Sequence, residues 1–330
     1  SAFFLHARSD RSVFPEDSGG PRLSIIRERE QRETELTVLG FNALGEGTGW
    51  WQPRLSAGWV RQDDQALTPA IAPGPVISAV PALAADSRFE RFEITFANAV
   101  ELRENTELVV GGSWLREEGK ATGSIDFGFL IPADFTIDRE MIGVFAETTV
   151  QPAPWALLTA GLRFDDPSSR SGEWTGRLGA RIEPLSGGPA LIASWSEGYK
   201  LPSLYALAYP IIANPDLKPE RSESYEIGLE QSLGGGEGRA RVTWFHSRYT
   251  DLIDFDPEAF TNVNRSRVTA QGVQAELSVP LSPSLDFSAN LTYLDTDQPE
   301  DAAPLRSRPE WQGFAALKWR LIQQLELYLD

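Results

Sequence analysis

The chain has 330 residues, with 30 Lys and Arg against 47 Asp and Glu, a formal charge of −17 that argues against a nucleic-acid partner because phosphate binding needs a clustered basic face. It has no Cys, which excludes disulfides, thiolate metal sites and a cysteine nucleophile, and only His6 and His246 as histidines, each read as a polar residue near a strand end. Hydrophobic residues at 41% exclude wholesale disorder, and no apolar run reaches the roughly 18 residues that a membrane helix needs.

Aromatic content is high, with 10 Trp, 17 Phe and 7 Tyr, and together with 28 Gly it favours strand over helix. In chain order the elements alternate with period two. Ser1 to Arg8 opens the chain as a strand, without an initiating Met or a basic-then-apolar leader. Phe92, Ile94 and Phe96 oppose Arg91, Glu93 and Thr95. Trp174, Leu178, Ala180 and Ile182 oppose Thr175, Arg177, Arg181 and Glu183. Tyr225, Ile227 and Leu229 follow against Ser224, Glu226 and Glu230, then Val273, Ala275, Leu277 and Val279 against Gln274, Glu276 and Ser278. The clearest run sets Leu285, Phe287, Ala289, Leu291 and Tyr293 against Asp286, Ser288, Asn290 and Thr292. The last, with Leu325, Leu327 and Leu329 on one face, reaches the end of the chain.

The connections separate two architectures that share this alternation, a soluble sandwich and a membrane barrel. Short turns at Gln151 to Pro154, Pro184 to Gly188, Leu233 to Glu237 and Pro280 to Pro283 alternate with long excursions at Gln62 to Ser87, Arg116 to Ile137, Lys200 to Arg221 and Asp295 to Ser307. Strands of about ten residues, short turns at one end and long loops at the other describe an outer-membrane barrel. Trp50, Trp51, Trp59, Trp114, Trp155, Trp195, Trp244, Trp311 and Trp319 near strand ends suit an interfacial girdle. The expected fold is all-β: a transmembrane antiparallel barrel of about fifteen strands in one domain over residues 1–330, with its polar face toward a lumen.

Around Tyr199 the sequence becomes specific. Gly198-Tyr199-Lys200-Leu201-Pro202-Ser203-Leu204-Tyr205 leads to Asn214-Pro215-Asp216-Leu217-Lys218-Pro219-Glu220-Arg221-Ser222 and to Tyr225-Glu226-Ile227-Gly228. This resembles the barrel signature of TonB-dependent outer-membrane receptors. Tyr249 to Phe255, Asn262-Val263-Asn264 and Ala270 to Glu276 are similar to the following hairpins of that family, most of all in its cobalamin-receptor branch. Pro215 and Pro219 lack backbone donors, so on physical grounds the segment is a loop that closes on a strand.

The resemblance implies a receptor in the outer membrane of a Gram-negative bacterium. Its expected partners are the TonB energising complex, acting through a plug domain, the lipid bilayer with lipopolysaccharide, and a large nutrient of the cobalamin or ferric siderophore type. No plug is recognisable in the sequence, and since plugged transporters have about 22 strands, the chain reads as an internal piece of a larger barrel. It implies no catalytic residue and no cofactor. For cargo contact the candidates are Tyr205, Tyr209 and Phe255 as aromatic faces and Lys200, Arg248 and Arg265 as partners for an anionic group.

Two other readings compete. A passive channel or adhesin on the same barrel would lack a plug. A secreted β hydrolase would need converging carboxylates, and the adjacent acids Asp63-Asp64, Asp165-Asp166 and Glu300-Asp301 read instead as solvated loop charge, with weak calcium ligation as the minor alternative.

Overall fold

A computed structural model describes residues 1–14, 28–45, 47, 49–70, 81–256, 259–265, 267–298, 309–322 and 325–329. Each alternating run becomes a strand because its neighbour in sequence pairs with it antiparallel. Along the sheet these are β1 (Ala2–Val13), β2 (Glu30–Leu44), β3 (Trp51–Thr68), β4 (Ala82–Arg103), β5 (Thr106–Asp126), β7 (Phe135–Ala153), β8 (Ala156–Pro167) and β9 (Glu173–Ile182). They continue as β10 (Ala190–Lys200), β11 (Glu220–Leu233), β12 (Gly238–Thr250), β15 (Val268–Ser282), β16 (Leu285–Asp297), β17 (Trp311–Ile322) and β18 (Leu325–Leu329). Among the described residues, these fifteen strands form one unbroken antiparallel path whose ends are β1 and β18. The short β6 (Leu130–Pro132) pairs with β5, and β13 (Ile253–Asp256) pairs with β14 (Thr261–Asn264) in a separate small hairpin.

The registers carry the two-faced pattern across the path. Ala180, Ala193, Ile227, Trp244, Val273, Tyr293 and Trp311 follow one another as cross-strand neighbours on one face. The other face carries Arg181, Glu230, Arg241, Glu276 and Asn290, and polar pairs form there between neighbours, as in Arg181–Glu230 at 2.8 Å. A one-residue slip in any strand would exchange the two sets, so burial of one face in lipid fixes the register.

The apolar face has a sharp upper limit. Phe4, Leu39, Trp59 and Phe92 are cross-strand neighbours, and two residues further along the same strands stand His6, Thr37, Arg61 and Glu90. Above that line the same face is ionic, with Asp63 bridging Arg61 at 2.7 Å and Arg88 at 2.6 Å. Trp51, at the lower end of β3, lies eight residues below Trp59 on this face. At ~3.3 Å per residue and a tilt near 40°, that spans about 20 Å, close to the height of an apolar barrel band.

The expectation of long loops at Gln62 to Ser87 and Arg116 to Ile137 needs correction. Strands β4 and β5, of 22 and 21 residues, run on through Ser87, Arg88 and Arg116 to Asp126, leaving connections only at 69–81 and 127–134. Charge does not end a strand whose neighbour still satisfies its backbone, because in water both faces tolerate it. For the same reason Asp63, Asp64, Asp165 and Asp166 are strand residues rather than loop acids, and Asp165 is held by Arg163 at 2.6 Å. The expected loop from Asp295 loses its first residues to β16, and its remainder from 299 to 307 lies outside the described residues, as do Glu300 and Asp301.

Turns alternate in length as the hairpin order demands. Residues 104–105, 154–155, 183–189, 234–237 and 283–284 join strands at one end. Residues 69–81, 127–134, 168–172, 201–219, 251–267 and 298–310 join them at the other. The tightest use of conformational freedom is at Gly234, Gly235 and Gly236, all with positive φ.

The polar face is the concave one. Pro202 and Leu204, in the connection after β10, lie on β5 and β7: the Pro202 carbonyl accepts from Arg139 at 3.0 Å, and Leu204 covers Gly119. Four strand spacings, about 19 Å, separate β10 from β5, and a chain reaches that far only across the inside of a curved sheet. Ala289→Arg, on the lipid-facing side of β16, is therefore expected to cost about 2 to 4 kcal/mol of folding free energy, while Asn290→Arg costs little. Reversible unfolding of the intact barrel in vesicles measures both, and equal costs would contradict the assigned faces.

Candidate ligand-binding rim

The connection between β10 and β11 is an ordered unit. Pro202 holds an extended entry, the Ser203 hydroxyl accepts the Ala206 N–H at 3.1 Å, and helix α1 (Leu204–Ala208) starts there. It stops after one turn because Tyr209 N–H closes on the Tyr205 carbonyl at 2.9 Å and Pro210 cannot continue a helix. Leu204 and Ala206 are buried against the wall, which is why so short a helix persists.

Tyr205 and Tyr209 stack at 4.3 Å between ring centroids, and Phe135 meets both edge-on at 6.3 Å. Tyr209 is 5% exposed and packs with Ile125, Ala133, Leu83, Ile211 and Ile212, whereas Tyr205 is 46% exposed. Burial pushes both phenol groups above their ordinary pKa, so both are neutral hydroxyls at physiological pH.

The Asn-Pro-Asp-Leu-Lys-Pro-Glu segment then locks this connection to the β13–β14 hairpin. Asn262 donates from its backbone and its side chain to the Ile212 carbonyl, at 3.0 and 2.9 Å, and its own carbonyl accepts from Asn214 Nδ2 at 2.9 Å. Asn264 works reciprocally: its Oδ1 accepts the Lys218 N–H at 2.8 Å, and its Nδ2 donates to the Lys218 carbonyl at 3.0 Å. Leu217 is fully buried, and its carbonyl accepts from Arg170 of the neighbouring connection. Desolvation lowers the pKa of that guanidinium, yet an arginine keeps its charge, so Arg170 acts as a cationic clamp on loop carbonyls.

The other candidates divide by place. Lys200 ends β10 and pairs with Glu220 at 3.1 Å, while the second oxygen of Glu220 accepts the Ile253 N–H at 2.9 Å. Arg265 pairs with Asp254 at 2.9 Å, and Phe255 meets Phe260 edge-on at 5.4 Å on the small hairpin. Lys200, Tyr205, Tyr209, Phe255 and Arg265 thus share two fused connections at one end of the sheet. Arg248 is elsewhere. It follows Trp244 and His246 on the apolar side of β12 and lies 3.9 Å from Glu223, which also accepts from Tyr225 and Trp195.

Sequence reasoning missed Arg170, Asn262, Asn264 and Phe260. The repeated Asn at 262 and 264 was a visible signal for loop locking, since Asn offers both a donor and an acceptor. Arg170, in a Ser-rich connection, had none.

Against this geometry, the chain matches the TonB dependent receptor-like, beta-barrel family over residues 6–328. It is similar to the ferrienterobactin receptor of Escherichia coli (strain K12), at 26% identity over 265 residues, which are 68% of this chain and 35% of that protein. A second relative, the ferric enterobactin receptor PirA of Pseudomonas aeruginosa, is 26% identical over 264 residues, covering 67% of this chain and 35% of its own length. Among solved structures, the ferric enterobactin receptor PfeA from Pseudomonas aeruginosa superposes with a TM-score of 0.74 at 18% identity, over 99% of this chain and 53% of that one. The chain therefore spans about a third of the length of the two curated relatives.

These relatives overturn the expected leaning toward the cobalamin branch, since their names place the similarity among ferric-siderophore receptors. The geometry explains part of the error: of the residues that suggested a branch, Asn262 and Asn264 bind loop backbone, so they report the fold of the rim and nothing about cargo. With nearly its whole length matched, this chain belongs to the TonB dependent receptor-like, beta-barrel family.

Proposed function

We propose that residues 1–330 form one barrel domain, most of the wall of an outer-membrane receptor that takes up a ferric siderophore by TonB-dependent transport. In this reading further strands join β1 to β18 and close the barrel, and a plug domain couples the lumen to the TonB complex. Phospholipid and lipopolysaccharide surround the apolar face. The observation that carries the proposal is the family match over residues 6–328 combined with a rim connection folded onto the concave face of the sheet. An energised receptor needs such a rim, because a large, scarce solute must be captured before it can be moved.

Cargo contact falls to the exposed side of the fused connections. Tyr205 offers an aromatic face on a floor made by Tyr209, Phe255 offers a second, and Lys200 and Arg265 stand near enough to the same rim to meet negative charge. Arg248 belongs to this proposal only at the outer margin, where lipopolysaccharide would compete for it.

Uptake of radiolabelled ferric siderophores by cells with and without the gene tests the function. Loss of uptake on deletion, and on collapse of the proton gradient in cells that keep the gene, is expected; uptake unchanged by deletion would contradict it. For the rim, Tyr205→Ala should weaken binding of the transported ferric siderophore by about tenfold while the barrel folds normally. Asn264→Ala should cost about 0.5 to 1.5 kcal/mol of local stability by removing its hydrogen bonds to the Lys218 N–H and carbonyl, which water then replaces. Titration of the purified receptor and limited proteolysis of the 201–219 connection read the two effects. A Tyr205→Ala receptor of unchanged affinity would remove that ring from the site.

A further inference from the structure

The seam between β9 and β10 is open at the rim end. Among the described residues their cross-strand pairing runs from Ile182 and Leu191 up to Arg177 and Ser196 and stops there, although both strands continue. Glu173 to Gly176 stay paired with β8 on their other side, and Glu197 to Lys200 stay paired with β11. Two strand edges therefore face each other with no ladder between them. They lie just above the level of Trp195 and Tyr225, where water rather than hydrocarbon meets the backbone.

Side chains patch the opening. The Gly176 N–H donates to the Glu197 carboxylate at 3.1 Å, and Arg221 of β11 reaches past β10 to both oxygens of Glu173, at 2.7 and 2.6 Å. The Tyr199 hydroxyl donates to Met141 Sδ of β7 at 3.3 Å. In a flat sheet three strand spacings, about 14 Å, separate β10 from β7, so the upper parts of β10 and β11 leave the wall and lie over the inner face of β7, β8 and β9. What they cover there is ionic, with Arg139, Asp165 and Glu173 all buried. The register of the lower seam, carried upward, brings complementary residues together: Glu173 opposite Lys200, Trp174 opposite Tyr199 and Thr175 opposite Gly198. Trp174 is now 61% exposed, and an aromatic neighbour across the seam would cover it. Lys200 now pairs with Glu220 and Glu173 with Arg221, so closing the seam exchanges one ion pair for another.

We propose that the upper β10–β11 arm is a flap with two positions. The Arg221–Glu173 latch holds it inward, and in a minor population it swings back into the wall, where β9 and β10 zip through Glu173–Lys200 and Trp174–Tyr199. An ionic interface suits such an exchange, because a buried pair adds little net stability and its release costs little when each charge finds a new partner or water. Glu117 and Arg139 keep each other in both positions, and only the Pro202 carbonyl passes to water. Lifting Leu204 and Tyr209 off their apolar neighbours on the wall is the cost that keeps the inward position dominant. The flap carries the 201–219 connection with it, so the seam sets whether Tyr205 stands over the inner wall or in line with it. This is a property of the wall strands and operates without any cargo.

The test is disulfide trapping in the intact receptor in membranes, with no Cys in this chain to interfere and no ferric complex present. Thr175→Cys with Gly198→Cys places one thiol on each edge of the open seam. Gly179→Cys with Ser194→Cys, an equivalent pair lower down where the ladder is intact, is the positive control. Mild oxidation should cross-link the control quickly and the seam pair slowly but fully, since trapping drains a minor population. Arg221→Gln should speed the seam cross-link about tenfold by releasing the latch, and Lys200→Gln should slow it by removing the partner that Glu173 meets in the wall. Heat-dependent gel mobility shows whether each variant retains a folded barrel. A receptor whose control pair cross-links while its seam pair does not would overturn the proposal, whatever the Arg221 variant does. A seam cross-link whose rate ignores both substitutions in folded receptors would overturn it too, because the two ion pairs would then not govern the exchange. Neither result depends on which cargo the receptor carries.

Discussion

In hydrocarbon every backbone N–H and C=O must find a partner inside the protein, because an unpaired one costs several kcal/mol. Fifteen strands meet that demand here by pairing side by side, and the rest of the structure follows from it. Pairing fixes alternation, alternation sends one set of side chains to lipid and the other inward, and lipid on one side punishes any slip of register. The polar set is then free to be charged. Arg181 with Glu230 and Arg163 with Asp165 stand on an inner wall that water and neighbouring protein can solvate, which is how an acidic chain spans a membrane.

The same constraint relaxes above the bilayer, and there the protein does something different with its strands. Beyond Trp59 and Phe92 the sheet continues with charged residues on both faces, so β3, β4, β5 and β7 rise as a wall against which the connections can fold. The contact of Pro202 and Leu204 with β5 and β7 is centred on the buried Glu117–Arg139 pair, which Arg91 also approaches. A buried ion pair contributes little net stability, but removing one partner strands the other charge at a cost of about 3 to 5 kcal/mol. Such a pair therefore selects one position for the connection rather than strengthening the sheet. That position is where Tyr205 is presented and Tyr209 is buried.

Much of the wall was legible in the sequence because period two in runs such as Leu285 to Tyr293 has only one physical solution in a two-faced sheet. The strand ends were less legible. Asp64, Asp86 and Glu118 look like loop residues by charge, yet they sit in strands because pairing, not polarity, decides where a strand stops once both faces are wet. The rim was legible as a family signature and not as a site. Asn214 stands out in sequence for the backbone it holds, whereas Arg170 belongs to no local pattern. Its role, a clamp on the Leu217 carbonyl, arises from a different connection, and no single stretch of sequence displays that.

The central claim is that this sheet has one face in lipid and one in water, with the rim on the watery side. Because the chain has no Cys, single cysteines can be placed at each position from Asp286 to Thr292 without background and spin-labelled in membranes. Collision with oxygen reports lipid, and collision with a water-soluble nickel complex reports the lumen. The account predicts strict alternation, with Phe287, Ala289 and Leu291 accessible to oxygen and Asp286, Ser288, Asn290 and Thr292 accessible to nickel. Uniform accessibility along the strand, or alternation with the two sets exchanged, would contradict it.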